Sequence, residues 1–123
     1  FLVTLSNPVF GKLMLYSDEV YLGCLDCSGV NSESVCNVVG RYGSSVSSTS
    51  IWNSVGRYGS SVSSKSPWNS VSSNGPKIID QNGKYYGRFT INSSVGFDQL
   101  IHLSVLYHKV IGDLSRLQKI FCK

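Results

Sequence analysis

From Phe97 to the C-terminus the apolar residues fall at helical spacing. Leu100, Leu103, Tyr107, Val110, Leu114, Leu117 and Phe121 lie three or four apart, and Ile101, Leu106, Ile111 and Ile120 widen the stripe. The pattern predicts one amphipathic helix over 97–121, with Lys119 and Lys123 at its negative pole and Gly112 inside it at a cost of about 1 kcal/mol. Two shorter stretches carry hairpin signals. Met14-Leu-Tyr-Ser-Asp-Glu-Val-Tyr-Leu-Gly-Cys-Leu25 aligns with Ile78-Ile-Asp-Gln-Asn-Gly-Lys-Tyr-Tyr-Gly-Arg-Phe89: two apolar residues, a polar turn, an aromatic, then glycine and another apolar residue. Asp18 and Glu19 mark the first turn, and Asn82-Gly83 suits a two-residue type I′ turn in the second. Hairpins are therefore expected over 12–27 and 76–92, with the helix packed across their sheet. Phe1-Leu-Val-Thr-Leu5 is too short for a signal segment, lacks a basic flank, and reads as a further strand.

Between the hairpins neither a period of two nor one of 3.6 holds. Residues 40–55 read GRYGSSVSSTSIWNSV and residues 56–71 read GRYGSSVSSKSPWNSV, identical at fourteen of sixteen positions. A third, divergent copy precedes them. There Val30, Ser34, Val35 and Asn37 match Val46, Ser50, Ile51 and Asn53; Cys36 stands in the place of Trp52 and Trp68; and Cys24–Cys27 fills the slot of Gly40-Arg-Tyr-Gly43. A fixed period predicts stacked units, here three over 24–71, each burying its neighbour's apolar positions. Two glycines per unit block a sixteen-residue helix. A short helical turn through Ser50-Ile51-Trp52-Asn53, capped by Ser47 or Ser48, fits instead, with Gly43 and Gly59 at left-handed or crowded backbone positions. Hydroxyl-to-backbone hydrogen bonds are expected throughout.

The expected fold class is thus α+β, one domain over 1–123: two related β-hairpins flanking a serine-rich array of three sixteen-residue repeats, with a C-terminal amphipathic helix. The tandem G-x-Y-G-S-x-x-S-S-x-S-x-W-N motif, followed by Lys77-Ile-Ile-Asp-Gln-Asn-Gly-Lys-Tyr-Tyr-Gly87, resembles a family of small uncharacterised bacterial proteins, cyanobacterial ones included. The similarity covers about residues 12–92. Members are often secreted-looking or envelope-associated, and commonly carry an aromatic at the positions of Val46 and Val62. The resemblance implies architecture and an extracytoplasmic compartment, and brings no activity with it.

Composition narrows the function. Charged residues make up 15% of the chain, and serine, with 23 copies, 14 of them within 44–73, takes their place. No apolar run approaches the ~18 residues of a membrane span. The net charge of +4 falls entirely on residues 77–123, without a Lys/Arg cluster, which argues against a nucleic-acid partner. Cys24, Cys27, Cys36 and Cys122 form an even set, so two disulfides in any of three connectivities are expected in an oxidising compartment. A bridge from Cys122 into the N-terminal cluster would close a long loop. Cys24-Leu-Asp-Cys27 also has the spacing of a zinc-ligand pair, but Cys36 and Cys122 supply no second knuckle. A redox C-x-x-C usually opens a helix, whereas glycine and serine flank this one.

No catalytic constellation stands out, and neither a cofactor nor a metal is implied. His102 and His108 stand about 240° apart around a helix, too far to share a metal. No G-x-S-x-G elbow occurs. Asn92-Ser93-Ser94 is a glycosylation sequon. The candidate binding residues are the repeated aromatics and their neighbours: Arg41, Tyr42, Trp52, Arg57, Tyr58 and Trp68. Exposed, they would make an evenly spaced platform for sugar rings or bases; buried, they would be the core between units. The expected function is a non-enzymatic extracytoplasmic binding or structural module. Two alternatives are an accessory subunit docked through the 97–121 helix, by a protein partner or by self-association, and a carbohydrate or single-stranded nucleic-acid binder using the aromatics.

Overall fold

A computed structural model describes residues 12–96 and 102–123. The expected strand at Phe1–Leu5 and the start of the expected helix lie outside the described residues. The chain forms a small α+β fold: a four-stranded antiparallel sheet, a long run of turns, and two C-terminal helices. Strand β1 (Leu13–Ser17) pairs with β2 (Val20–Cys24) and with β3 (Lys77–Asp80), which pairs with β4 (Tyr85–Arg88), so the order is β2-β1-β3-β4. The two hairpins meet through β1 and β3, Met14 opposite Ile79 and Leu15 opposite Ile78. The aligned Gly23 and Gly87 share a positive φ, 110° and 118°. Alternation sends Leu13, Leu15, Leu22 and Ile78 into the core. The second hairpin differs from the two-residue turn that Asn82-Gly83 suggested. Its connection runs over 81–84, because the Asp80 carboxylate accepts the N–H groups of both Asn82 (2.8 Å) and Lys84 (3.0 Å) and Gly83 N–H returns to the Asp80 carbonyl (3.0 Å).

Residues 28–72 contain no helix or strand, so the short helical turn expected at Ser50–Asn53 is not formed. In its place stands a chain of consecutive β-turns, each closed by an N–H to the carbonyl three residues back. From Ser44 the bonds run Ser47 to Ser44, Ser50 to Ser47, Asn53 to Ser50 and Gly56 to Asn53; from Ser60 the same ladder runs to Ser72. Each corner is a serine, asparagine or glycine. At most of them the side-chain oxygen accepts the N–H two residues on, as Ser50 Oγ does from Trp52 (3.0 Å) and Asn53 Oδ1 from Val55 (3.2 Å). At Gly56 one step lengthens to four residues, since Ser60 N–H also reaches the Gly56 carbonyl (3.0 Å). Four three-residue steps and one four-residue step make the sixteen-residue period, with five corners in each.

The lengthened step explains a glycine. A Cβ built on Gly59 would stand 2.1 Å from the Asn53 carbonyl oxygen, and one on Gly43 would stand 2.0 Å from that of Asn37. The corner folds back against backbone there, which cannot yield. Gly59→Ala is expected to lower stability by about 3 kcal/mol, the upper end of ordinary overpacking costs. Gly56→Ala, whose Cβ would meet only the Asn53 side chain at 3.0 Å, should cost less. Urea denaturation of the two variants checks the difference.

The C-terminal segment is two helices, α1 (Leu103–Lys109) and α2 (Leu114–Phe121), where the periodicity predicted one. Ile111 (φ 57°) and Gly112 (φ 71°) take left-handed backbone, and Asp113 caps α2 by accepting the N–H groups of Ser115 (3.1 Å) and Arg116 (3.3 Å). The break lets Leu103 and Val110 on one side and Leu114, Leu117 and Phe121 on the other all reach the same core. That core joins the sheet to the turn region through Val35, Ile51, Trp52, Tyr58 and Trp68. Two disulfides are present, Cys24–Cys27 and Cys36–Cys122, which settles the connectivity that spacing alone left open. No helix among the described residues is long and apolar enough to cross a membrane.

Candidate functional site

In the turn region, the side chain two residues after each corner is directed by its place in the five-cornered coil. At Ser50 and Ser66 the step faces inward, and Ile51, Trp52 and Trp68 are buried. Trp52 Nε1 donates to the Val35 carbonyl (2.7 Å) and Trp68 Nε1 to the Ile51 carbonyl (2.5 Å), seventeen residues back in each case. The indoles stack at 5.5 Å between centroids. Trp68 also stacks on Tyr107 at 5.7 Å, its plane within 4° of parallel. Both faces of Trp68 and the single polar atom of each indole are therefore engaged inside the protein.

The six candidate binding residues consequently do not share an exposed face. Trp52, Trp68 and Tyr58 are buried, and Tyr42 is half-buried against Tyr21 at 5.1 Å. Only Arg41 and Arg57 reach solvent freely. The evenly spaced aromatic platform fails because the indoles supply the bulk that a serine-rich core otherwise lacks.

Outward steps carry something the sequence reading did not single out. Val30, Val46 and Val62, each two residues past a serine corner, are 85–91% exposed, as are Val39, Val55 and Val71 past asparagine corners, at 86–90%. Ser45, Ser48 and Ser54 stand exposed beside them, and residues 42–56 carry no charged side chain. The signal was available: valine follows Ser-x or Asn-x at a spacing of sixteen in two separate rows. Two grooves are lined by members of this set, Val46 in both and Val55 in one. One, about 390 Å³, lies between Val20, Val46 and Tyr58; the other, about 450 Å³, lies between Val46, Val55 and the start of α2 at Asp113–Ser115.

Titratable groups are sparse around this surface and cluster elsewhere. The Tyr21 hydroxyl donates to Glu33 (2.6 Å), which also pairs with Lys12 at 3.2 Å. These contacts hold the Glu33 carboxyl below its usual range, while burial and Glu33 push the Tyr21 hydroxyl far up. Tyr86 donates to Asp80 (2.8 Å), which lowers that carboxyl; burial and Asp80 raise Tyr86 to about 12. The first pair ties β2 to the turn that follows it, and the second joins β4 to the end of β3. His102 and His108 are exposed at the two ends of α1. The Asn92 amide of the sequon donates to the Ser72 carbonyl (2.9 Å), so the nitrogen a glycan would need is turned inward.

One polar residue that periodicity assigned no role links the layers. Gln118, buried on α2, donates from Nε2 to the carbonyls of Val35 (3.0 Å) and Gly43 (2.9 Å). It fixes α2 across two successive coils. Among the described residues, the close groupings of His, Cys, Asp and Glu come to Cys24, Asp26 and Cys27. No protein-family model, no curated protein and no solved structure matches this chain.

Proposed function

We propose that this protein is a non-enzymatic, extracytoplasmic binding or structural module built on three stacked sixteen-residue units, and that it works through the outward valine and serine rows. The observation that carries this reading is the exposure of six valines at fixed positions of the coil. Isolated exposed apolar residues need no explanation, but a row of them on a rigid scaffold marks an interaction surface. The two disulfides support a location outside the reducing cytoplasm. The resemblance to often secreted-looking bacterial proteins agrees with it.

The accessory-subunit alternative has less support. The apolar stripe of α2 is spent on the chain's own core, and Ser115, Arg116 and Lys119 face outward. The test changes Val46, Val55, Val62 and Val71 to serine together. These side chains make little contact, so the variant should fold with unchanged near-UV dichroism. Labelled wild-type protein is expected to be retained on envelope fractions of bacterial cells, and the fourfold variant is expected to lose most of that retention. Equal retention of both overturns the reading.

A further inference from the structure

Cys24–Cys27 joins two sulfurs in different surroundings. Cys24 is fully buried at the end of β2, its N–H on the Glu33 carbonyl (2.7 Å) and its carbonyl accepting from Val35 (3.0 Å). Cys27 lies in the following bend, half-buried, on the wall of a pocket of about 220 Å³ that Asp26, Cys36, Cys122 and Lys123 also line. Asp26 Oδ1 stands 3.4 Å from Cys24 Sγ and accepts the Leu13 N–H at 2.9 Å, which fixes the carboxyl. One sulfur is thus open to a pocket, and its partner is enclosed beside the Asp26 carboxyl.

We propose that this pocket is a thiol–disulfide exchange site whose substrate is a thiol, with Cys27 as the sulfur attacked and Cys24 as the sulfur released. The incoming R–SH gives its proton to the Asp26 carboxylate as its sulfur attacks Cys27 Sγ. The Cys24–Cys27 bond breaks, and its electron pair leaves on Cys24. Asp26 passes the proton to Cys24, leaving R–S–Cys27 and a Cys24 thiol. A second thiol attacking the substrate sulfur of that mixed disulfide releases R–S–S–R and the protein dithiol, so two substrate thiols are oxidised as one protein disulfide is reduced. Desolvation holds the Asp26 carboxyl above its ordinary range, which suits a group that must take and return a proton. Cys36–Cys122 shares the pocket but packs against the core.

The substrate thiol is either a small molecule or a peptide cysteine, and the test separates them. The oxidised full chain is treated under native conditions with reduced glutathione or with a short reduced cysteine peptide, quenched by alkylation and mapped by mass. Expected is an adduct on Cys27 with an alkylated Cys24, while Cys36–Cys122 stays closed. Faster addition of glutathione indicates a small-thiol substrate, and faster addition of the peptide a peptide cysteine. Asp26→Asn keeps the oxygen that accepts from Leu13 and should slow opening by about a hundredfold at unchanged fold. Cys24→Ser leaves Cys27 a free thiol, which oxidised glutathione should convert to a stable mixed disulfide as reduced glutathione departs; should that variant not fold, the wild-type map still decides which sulfur is attacked. An adduct on Cys24, a bridge that opens only in denaturant, or an Asp26→Asn variant exchanging at the wild-type rate overturns the proposal.

Discussion

Trp68→Ala should lower the free energy of unfolding by about 4–5 kcal/mol, which is a large share of what a domain of this size possesses. The ring is almost fully buried and packs on Trp52, Phe89 and Tyr107 at centroid distances of 5.5, 5.8 and 5.7 Å. Truncation removes these contacts and leaves a cavity between the turn region, the sheet and α1. It also strips the Ile51 carbonyl of the indole donor, and a buried unpaired acceptor costs about 1–3 kcal/mol. Trp68→Phe helps to separate the two parts, because it keeps one aromatic ring in the site and loses the pyrrole ring with its N–H. Its expected loss is about 1–3 kcal/mol. Urea denaturation followed by far-UV dichroism reads both variants, and equal losses would show that the hydrogen bond, not the packing, dominates.

The second large effect lies in the bridges, which should be unequal. Cys36–Cys122 closes a loop with a sequence separation of 86, and Cys24–Cys27 one of 3. In the chain-entropy account the long loop contributes about 4–5 kcal/mol and the short one about 2 kcal/mol. The double variant Cys36→Ser with Cys122→Ser is therefore expected to unfold at a much lower urea concentration than Cys24→Ser with Cys27→Ser. The contrast has a structural basis beyond loop length. In sequence Cys36 aligns with Trp52 and Trp68, so this part of the turn region has no indole at that place and is joined to the end of α2 by sulfur instead. Comparable midpoints for the two double variants would contradict this division.

The hairpins were legible because alternation and turn residues act locally. Leu13 and Leu15 need only the pleat to reach the core, and the glycines aligned at 23 and 87 share one backbone conformation. The helix break was present in the letters as well: Gly112-Asp113 is a helix stop followed by a cap, but an apolar stripe running through it read as continuous. The turn region was misread for a different reason. Helix and strand periods were sought, whereas Ser44, Ser47, Ser50, Asn53 and Gly56 mark a period of three, set by side-chain oxygens that close turns rather than by burial. Hydroxyl-to-backbone bonding could be expected from composition alone, but not which way each step faces. That depends on the lengthened step at Gly56–Ser60, which sets the phase of the coil. The aromatics could be read either way because sequence does not distinguish a ring between coils from a ring outside them.

The unequal steps of the coil act as a reading frame. Loss of a single residue at Ser54 would advance all that follows, so that Arg57, Ser61, Ser64 and Pro67 occupied the corners and Asn69 entered the slot of Trp68. An amide would then replace an indole in the core, and a ring without an N–H would sit at a corner. Removing sixteen residues restores the frame, because each tryptophan finds an equivalent carbonyl seventeen positions earlier. The turn ladder is therefore expected to tolerate a change of sixteen residues better than a change of one, with one valine of each spacing gained or lost at a time.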